Sequence, residues 1–122
     1  MKKILIVDDQ AFIRHMLGME LSRSGYKVHY ADNGKTGFEE AVIIRPDLIL
    51  LDIMMPVMDG YECCKKIRDN EFVKTVPVIF LSANNQKTAV IKAVQSGGTD
   101  FVVKSPNPTV LLQKVKKLFG EE

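Results

Sequence analysis

The stretch KILIVDDQ, residues 3–10, runs four aliphatic side chains directly into two adjacent carboxylates, Asp8 and Asp9. An apolar run this short and this continuous fits a strand covered on both faces, as in a parallel sheet. Two like charges at its end repel, and burial drives at least one toward its neutral form unless a cation or a donor compensates. The stretch therefore calls for a positive partner that it does not itself contain.

Outward from it, the same grammar repeats. The runs ILIV (4–7), KVHYA (27–31), LILL (48–51), VPVIFL (76–81) and FVV (101–103) are too short for helices, and fully buried parallel strands are the expectation for them. Between them, Ile13, Met16, Leu17 and Leu21 recur at helical spacing until Ser24-Gly25 stops the pattern, and Leu111, Val115, Leu118 and Phe119 do so near the end. DGYE (59–62) sets an N-cap Asp three residues before a Glu, and NP (107–108) sets Asn before Pro at a first helical position. Strands alternating with helices through right-handed crossovers give an α/β fold: a single doubly wound (βα)5 three-layer sandwich on a five-stranded parallel sheet. No linker or repeat interrupts it, so residues 1–122 are expected to form one domain.

The bulk numbers agree, since 122 residues with 46% hydrophobic and 26% charged content suit one globular core. A net charge of +2, spread along the chain and not gathered in a stripe, gives no footprint for nucleic acid. No apolar run approaches the roughly 18 residues of a membrane span. MKKILIV meets Asp8 too early for a signal peptide, so a cytoplasmic protein is expected. Adjacent Cys63 and Cys64 make neither a disulfide framework nor a metal site of usual spacing, and are read as reduced helix side chains.

Sites in such sheets lie at the C-terminal ends of strands. The polar residues there are Asp8 and Asp9 on the first run, Asp52 on the third, Ser82 on the fourth and Lys104 on the fifth. Three carboxylates, a hydroxyl and an ammonium suit a hard cation, Mg²⁺ or Mn²⁺, that keeps waters for a phosphate to displace.

ILIVDD, LILLDIMMPVMDG, VIFLSA and GTDFVVKS, in this order and at these separations, resemble the receiver domain of two-component response regulators, the chemotaxis regulators among them. The resemblance covers essentially the whole chain. It implies a flavodoxin-like sheet of order 2-1-3-4-5, with Asp52 as phosphoacceptor for a phosphoryl group from a sensor histidine kinase or phosphotransfer protein. It further implies Asp9, Asp52 and the main-chain carbonyl of Met54 as direct Mg²⁺ ligands, with Asp8 acting through a metal-bound water. Lys104 would pair with the phosphoryl oxygens, while Ser82 and Phe101 would form a switch that alters a face offered to an effector protein, an output domain or, on phosphorylation, a second copy. Catalysis would be confined to the domain's own phosphorylation and dephosphorylation.

Three departures stand out. KSP (104–106) replaces the Lys-Pro usual in the family; either the Lys104-Ser105 bond is cis, at about 2.5–4 kcal/mol, or it is trans and Lys104 approaches differently, with cis slightly favoured. Neither Met54 nor Asn84 is acidic, so a long-lived phosphoryl group is expected. Phe101 stands where Tyr is common, making the switch one of packing alone, and Gly98, often Ala in the family, is expected to loosen the turn before the fifth strand. Ordinary readings compete: Asp8 as a helix N-cap, Met54, Met55 and Met58 as adaptable packing, Phe101 as an ordinary half-buried aromatic, His15 on the surface, His29 as an edge or partly buried residue, Lys114, Lys116 and Lys117 as a solvated face. A receiver-like interaction module that works without phosphorylation is the alternative function. A phosphatase acting on small molecules is more remote, since no cap insertion or second substrate domain is visible, and no output domain is seen either.

Overall fold

The computed structural model describes residues 1–83, 87–104 and 107–121. Strands β1 (Lys3–Val7), β2 (Lys27–Ala31), β3 (Leu48–Asp52), β4 (Val78–Ser82) and β5 (Asp100–Val103) alternate with helices α1 (Ala11–Arg23), α2 (Gly34–Ile44), α3 (Gly60–Asp69), α4 (Lys87–Gln95) and α5 (Pro108–Leu118). The strands form one parallel sheet of order β2-β1-β3-β4-β5, with Val7 opposite Leu51 and Asp52 opposite Leu81.

Alternation along each strand divides the core in two. Ile4, Ile6, Leu48, Leu50, Ile79 and Leu81 face Ile13, Leu17 and Leu21 of α1 and Leu111 and Val115 of α5. Leu5, Val7, Ile49, Leu51, Val78 and Phe80 face Ala41 of α2, Cys63, Cys64 and Ile67 of α3, and Ala93 of α4. Helices of 9 to 13 residues are marginal alone. Burial of each large aliphatic side chain contributes about 1.5–3 kcal/mol, which is what docks them.

The helix starts follow the local chemistry. Asp59 accepts a hydrogen bond from the Glu62 N–H at 2.9 Å, and Asn107 accepts from the Thr109 N–H at 2.9 Å with Pro108 in the first turn. Cys63 and Cys64 are reduced and buried in α3, and burial pushes the Cys63 thiol up to about 12, so neither is poised to react.

Three expectations are corrected. The strands are not all buried: β2 and β5 are the sheet's edges, and Lys27, Tyr30, Asp100 and Val103 are exposed, because an edge strand has a neighbour on one side only. The fourth strand begins at Val78 and not Val76; Pro77 has no N–H for the ladder, though its carbonyl accepts from Ile49 at 3.0 Å. At Gly98 a Cβ would lie 2.7 Å from the Phe80 ring, so the missing side chain makes room for that core aromatic. Finally, the lysines of α5 are less solvated than expected: Lys114 and Lys116 are half-buried, Lys114 in an ion pair with Asp100 at 3.0 Å. His15 is exposed on α1 and His29 half-buried on edge strand β2, as expected. The Lys104-Ser105 bond and Asn84 lie outside the described residues. Among the described residues no helix is long and apolar enough to cross a membrane.

Candidate functional site

The sheet order makes β1 and β3 neighbours, so the acids that close them meet. One ligand oxygen from each of Asp8, Asp9 and Asp52 falls within a cluster no wider than 4.8 Å, with Asp8 and Asp52 buried and Asp9 exposed. Asp52 occupies the last position of β3, where its Oδ1 accepts from the Ile53 N–H at 2.8 Å. Asp8 Oδ1 accepts from the Gln10 N–H at 2.8 Å, a turn ahead of α1, and since Gln10 is the helix N-cap the ordinary reading of Asp8 as that cap is not met.

The loop from β3 to α3 is folded back hard against this strand end. A Cβ at Gly60 would lie 2.1 Å from the Asp52 carbonyl oxygen, and the Gly60 N–H donates to Ile53 O at 2.7 Å. Only glycine lets α3 start so close to the acid. Within the loop, Val57 takes φ 71° while the Met58 N–H donates to Pro56 O at 2.8 Å. A β-branched residue held in the left-handed region stores about 1–3 kcal/mol of strain, and its side chain is 76% exposed. Met55 and Met58 pack against the core, but Met54 departs from the packing role expected of it, with a side chain 78% exposed at the rim.

The positive partner that the first stretch called for is Lys104, from the far end of β5. Its Nζ lies 3.1 Å from Asp8 Oδ2 and 3.1 Å from Asp52 Oδ2. Burial pushes the Asp52 carboxyl up to about 6, the Asp8 charge adds to the rise, and Lys104 opposes both. Asp8 is raised as well, again chiefly by burial. Burial pulls Lys104 down, but its bonds to the two acids outweigh that and leave it raised. One ammonium thus compensates two buried acids incompletely, and with all three acids ionised the cluster keeps two negative charges.

That deficit and the donor set fit a hard divalent cation. Asp8 Oδ2 and Asp52 Oδ2 are buried and, among the described residues, accept no well-aligned hydrogen bond, although the ammonium stands at ion-pair distance. Every side-chain donor in the cluster is an oxygen, which suits Mg²⁺ or Mn²⁺ over softer metals. A cleft of about 500 Å³ opens over Asp9, Asp52, Ser82 and Lys104, and Tyr61, Thr88 and Lys92 line its outer wall. A larger hollow of about 930 Å³ runs along α5 past Thr99, Asp100, Val110 and Lys114, but no comparable acid cluster lines it.

Ser82 ends β4 buried in this cleft, and its carbonyl accepts from the Lys104 N–H, which ties β5 to the site. Phe101 sits opposite Phe80 in the sheet, half-buried against the core. Two residues not singled out in the sequence also belong here. Arg14 donates to the Asp8 carbonyl at 2.7 Å, and Gln10 accepts from Lys104 Nζ at 2.7 Å. Gln10 directly follows the acid pair and Arg14 lies one helical turn on, a spacing that would have flagged both.

A parallel sheet with an acidic cluster at its switch point, faced by a lysine just beyond β5, defines a doubly wound α/β domain with a candidate cation site. The sequence model of the response regulator receiver domain matches residues 4–116, and the chain belongs to that family, the receivers of two-component systems. The transcriptional regulatory protein ResD of Bacillus subtilis (strain 168) is 39% identical over 116 residues, covering 95% of this chain and 47% of ResD. The chain spans about half the length of such curated relatives. Among solved structures, the chemotaxis protein CheY4 of Vibrio cholerae is 33% identical with a TM-score of 0.92, covering 97% of this chain and 98% of that one. The receiver domain of sensor histidine kinase PA1611 from Pseudomonas aeruginosa PAO1 is 29% identical with a TM-score of 0.90, over 98% of each chain, and holds a magnesium ion coordinated in its active site cleft.

Proposed function

We propose that residues 1–122 form one receiver domain in which Asp52 accepts a phosphoryl group from a phosphohistidine of a sensor kinase or phosphotransfer protein. The observation that carries this is Lys104 Nζ at 3.1 Å from both Asp8 and Asp52, at the mouth of a cleft open to a donor. An Asp52 carboxylate oxygen attacks phosphorus, the bond to the donor nitrogen breaks, and its electron pair leaves with the imidazole. The Lys104 ammonium stands where it can pair with a phosphoryl oxygen and offset the charge spread over the transferring group. Asp8, Asp9, Asp52 and the Met54 main-chain carbonyl would hold Mg²⁺, with Mn²⁺ as a substitute. That ion supplies charge neutralisation for the phosphoryl oxygens.

Ser82, which lines the same cleft as Asp52, would supply the hydroxyl that hydrogen-bonds a phosphoryl group there, and Phe101, half-buried against the core and without a hydroxyl of its own, would be the ring that repacks. The altered face would meet an effector protein, an output domain or a second copy. Because the Met54 side chain, exposed at the rim of this cleft, carries no charge, it orients no attacking water, and the phosphoryl group is expected to outlast that of receivers with an acid at this position.

The test is incubation of the whole chain with a small phosphodonor and Mg²⁺, followed by intact mass. A gain of one phosphoryl group, absent in Asp52→Asn and after chelation, is the expected result. No gain under conditions that label another receiver would favour an interaction module that works without phosphorylation.

A further inference from the structure

Gln10 sits at the N-cap of α1, where a short polar side chain would ordinarily accept from the first helical N–H groups, yet its side chain makes no capping bond. Its amide is used elsewhere: the backbone N–H donates to Asp8 Oδ1 at 2.8 Å, and Oε1 accepts from Lys104 Nζ at 2.7 Å. That is shorter than the 3.1 Å from the same ammonium to either buried acid. An ammonium has three protons to place, and its three partners here are Asp8, Asp52 and Gln10.

We infer that Gln10 is a positioning residue that fixes the Lys104 ammonium between Asp8 and Asp52, and that this placement sets the rate at which Asp52 is phosphorylated. The inference rests on Asp52 being the phosphoacceptor. Gln10 is exposed, so the polar contact and not packing defines its side chain's place. Its neutrality is part of the role. An acid there would be a fourth carboxylate around one ammonium and would repel an incoming phosphoryl group, whereas an amide oxygen completes the lysine's shell without adding charge. Lysine is a flexible point charge with high rotamer freedom, and a third partner tied by its own N–H to Asp8 removes that freedom.

The test is a double-mutant cycle on the full chain with Gln10→Met, Lys104→Met and both together. Met keeps the length of Gln, removes the acceptor, and disturbs no cap because none is made. With phosphoramidate and Mg²⁺, followed by intact mass over time, Gln10→Met is expected to slow phosphorylation about tenfold, the loss of roughly one hydrogen bond to a charged group. In the Lys104→Met background the same change is expected to alter the residual rate less than about twofold, because the effect passes through the lysine. A Gln10→Met rate equal to or faster than the parent's, or an equal loss in both backgrounds, overturns the inference.

Unfolding the four proteins in urea without divalent cation reads the same contact independently of phosphorylation. Gln10→Met should lower the midpoint only where Lys104 is present, and equal shifts in both backgrounds refute the contact. Should Lys104→Met not fold, Lys104→Gln takes its place. If the parent takes up no phosphoryl group but the urea cycle shows coupling, the phosphoacceptor reading has failed and the positioning contact stands; the reverse pattern condemns the positioning contact alone.

Discussion

Strand β5 carries two lysine–aspartate contacts with nearly the same distance and opposite meaning. At its start, Asp100 meets Lys114 at 3.0 Å with the side chains 42% and 39% exposed. Just beyond its end, Lys104 meets Asp8 and Asp52 at 3.1 Å, with exposures of 12%, 0% and 4%. Water screens the first and holds it to about 0–1 kcal/mol. In the second, desolvation dominates, so the lysine offsets a cost that the acids would otherwise bear alone. Distance tells nothing of the difference; burial decides it.

The largest expected break in that contrast is Lys104→Met. At pH 7 without divalent cation it should destabilise the fold by about 3 kcal/mol, the usual penalty for stranding a buried charge, read as a fall in the urea midpoint. The loss should shrink near pH 5, where a stranded carboxyl takes up a proton, and Mg²⁺ should restore part of it.

The next change runs in the opposite direction. Burial raises Asp52 to about 6 in the folded cation-free site, while an unfolded Asp titrates near 3.9. Between those values the folded state binds the extra proton, so stability declines as pH rises from about 4 to 6 and is level above. Asp52→Asn should therefore stabilise the cation-free protein at pH 7 by on the order of 2 kcal/mol, with the gain vanishing near pH 4. Urea unfolding across that pH range checks it. An acid that must lose its proton before binding metal also implies that Mg²⁺ affinity falls as pH drops below about 6, measurable by titration calorimetry.

The smallest effect belongs to the exposed pair. Lys114→Met should move stability by no more than about 0.5 kcal/mol, and 1 M salt should erase the change. A large effect there, or a small one at Lys104, would dissolve the contrast.

How much of this was legible in the residues follows the same division between local and long-range causes. The aliphatic runs and Asp59, Asn107 and Pro108 act through near neighbours, and they predicted the strands, helix starts and layer order. Asp8, Asp52 and Lys104 could be brought together because strand ends in a parallel sheet share one edge. Edge exposure of β2 and β5 was hidden, because a run such as KVHYA does not record whether a second neighbour exists. The Gly98–Phe80 contact joins residues on different elements and leaves no local mark. Gln10 could have been flagged by its place directly after the acid pair, but its contact could not, since only the fold turns its amide toward a lysine 94 positions away. Val57 reads as an ordinary aliphatic residue, and its left-handed backbone comes from the closure of the loop around it.

The lysine's place in the chain has one further consequence. Asp8 and Asp52 are on adjacent strands once the first half of the chain has been synthesised, but Lys104 follows Asp8 by 96 positions. A nascent chain that has paired β1 with β3 and not yet emitted β5 holds its two acids together with no ammonium to quiet them. In such a chain the acids would resist the very pairing that the aliphatic side chains drive, and β5 is the strand whose arrival would end the dispute.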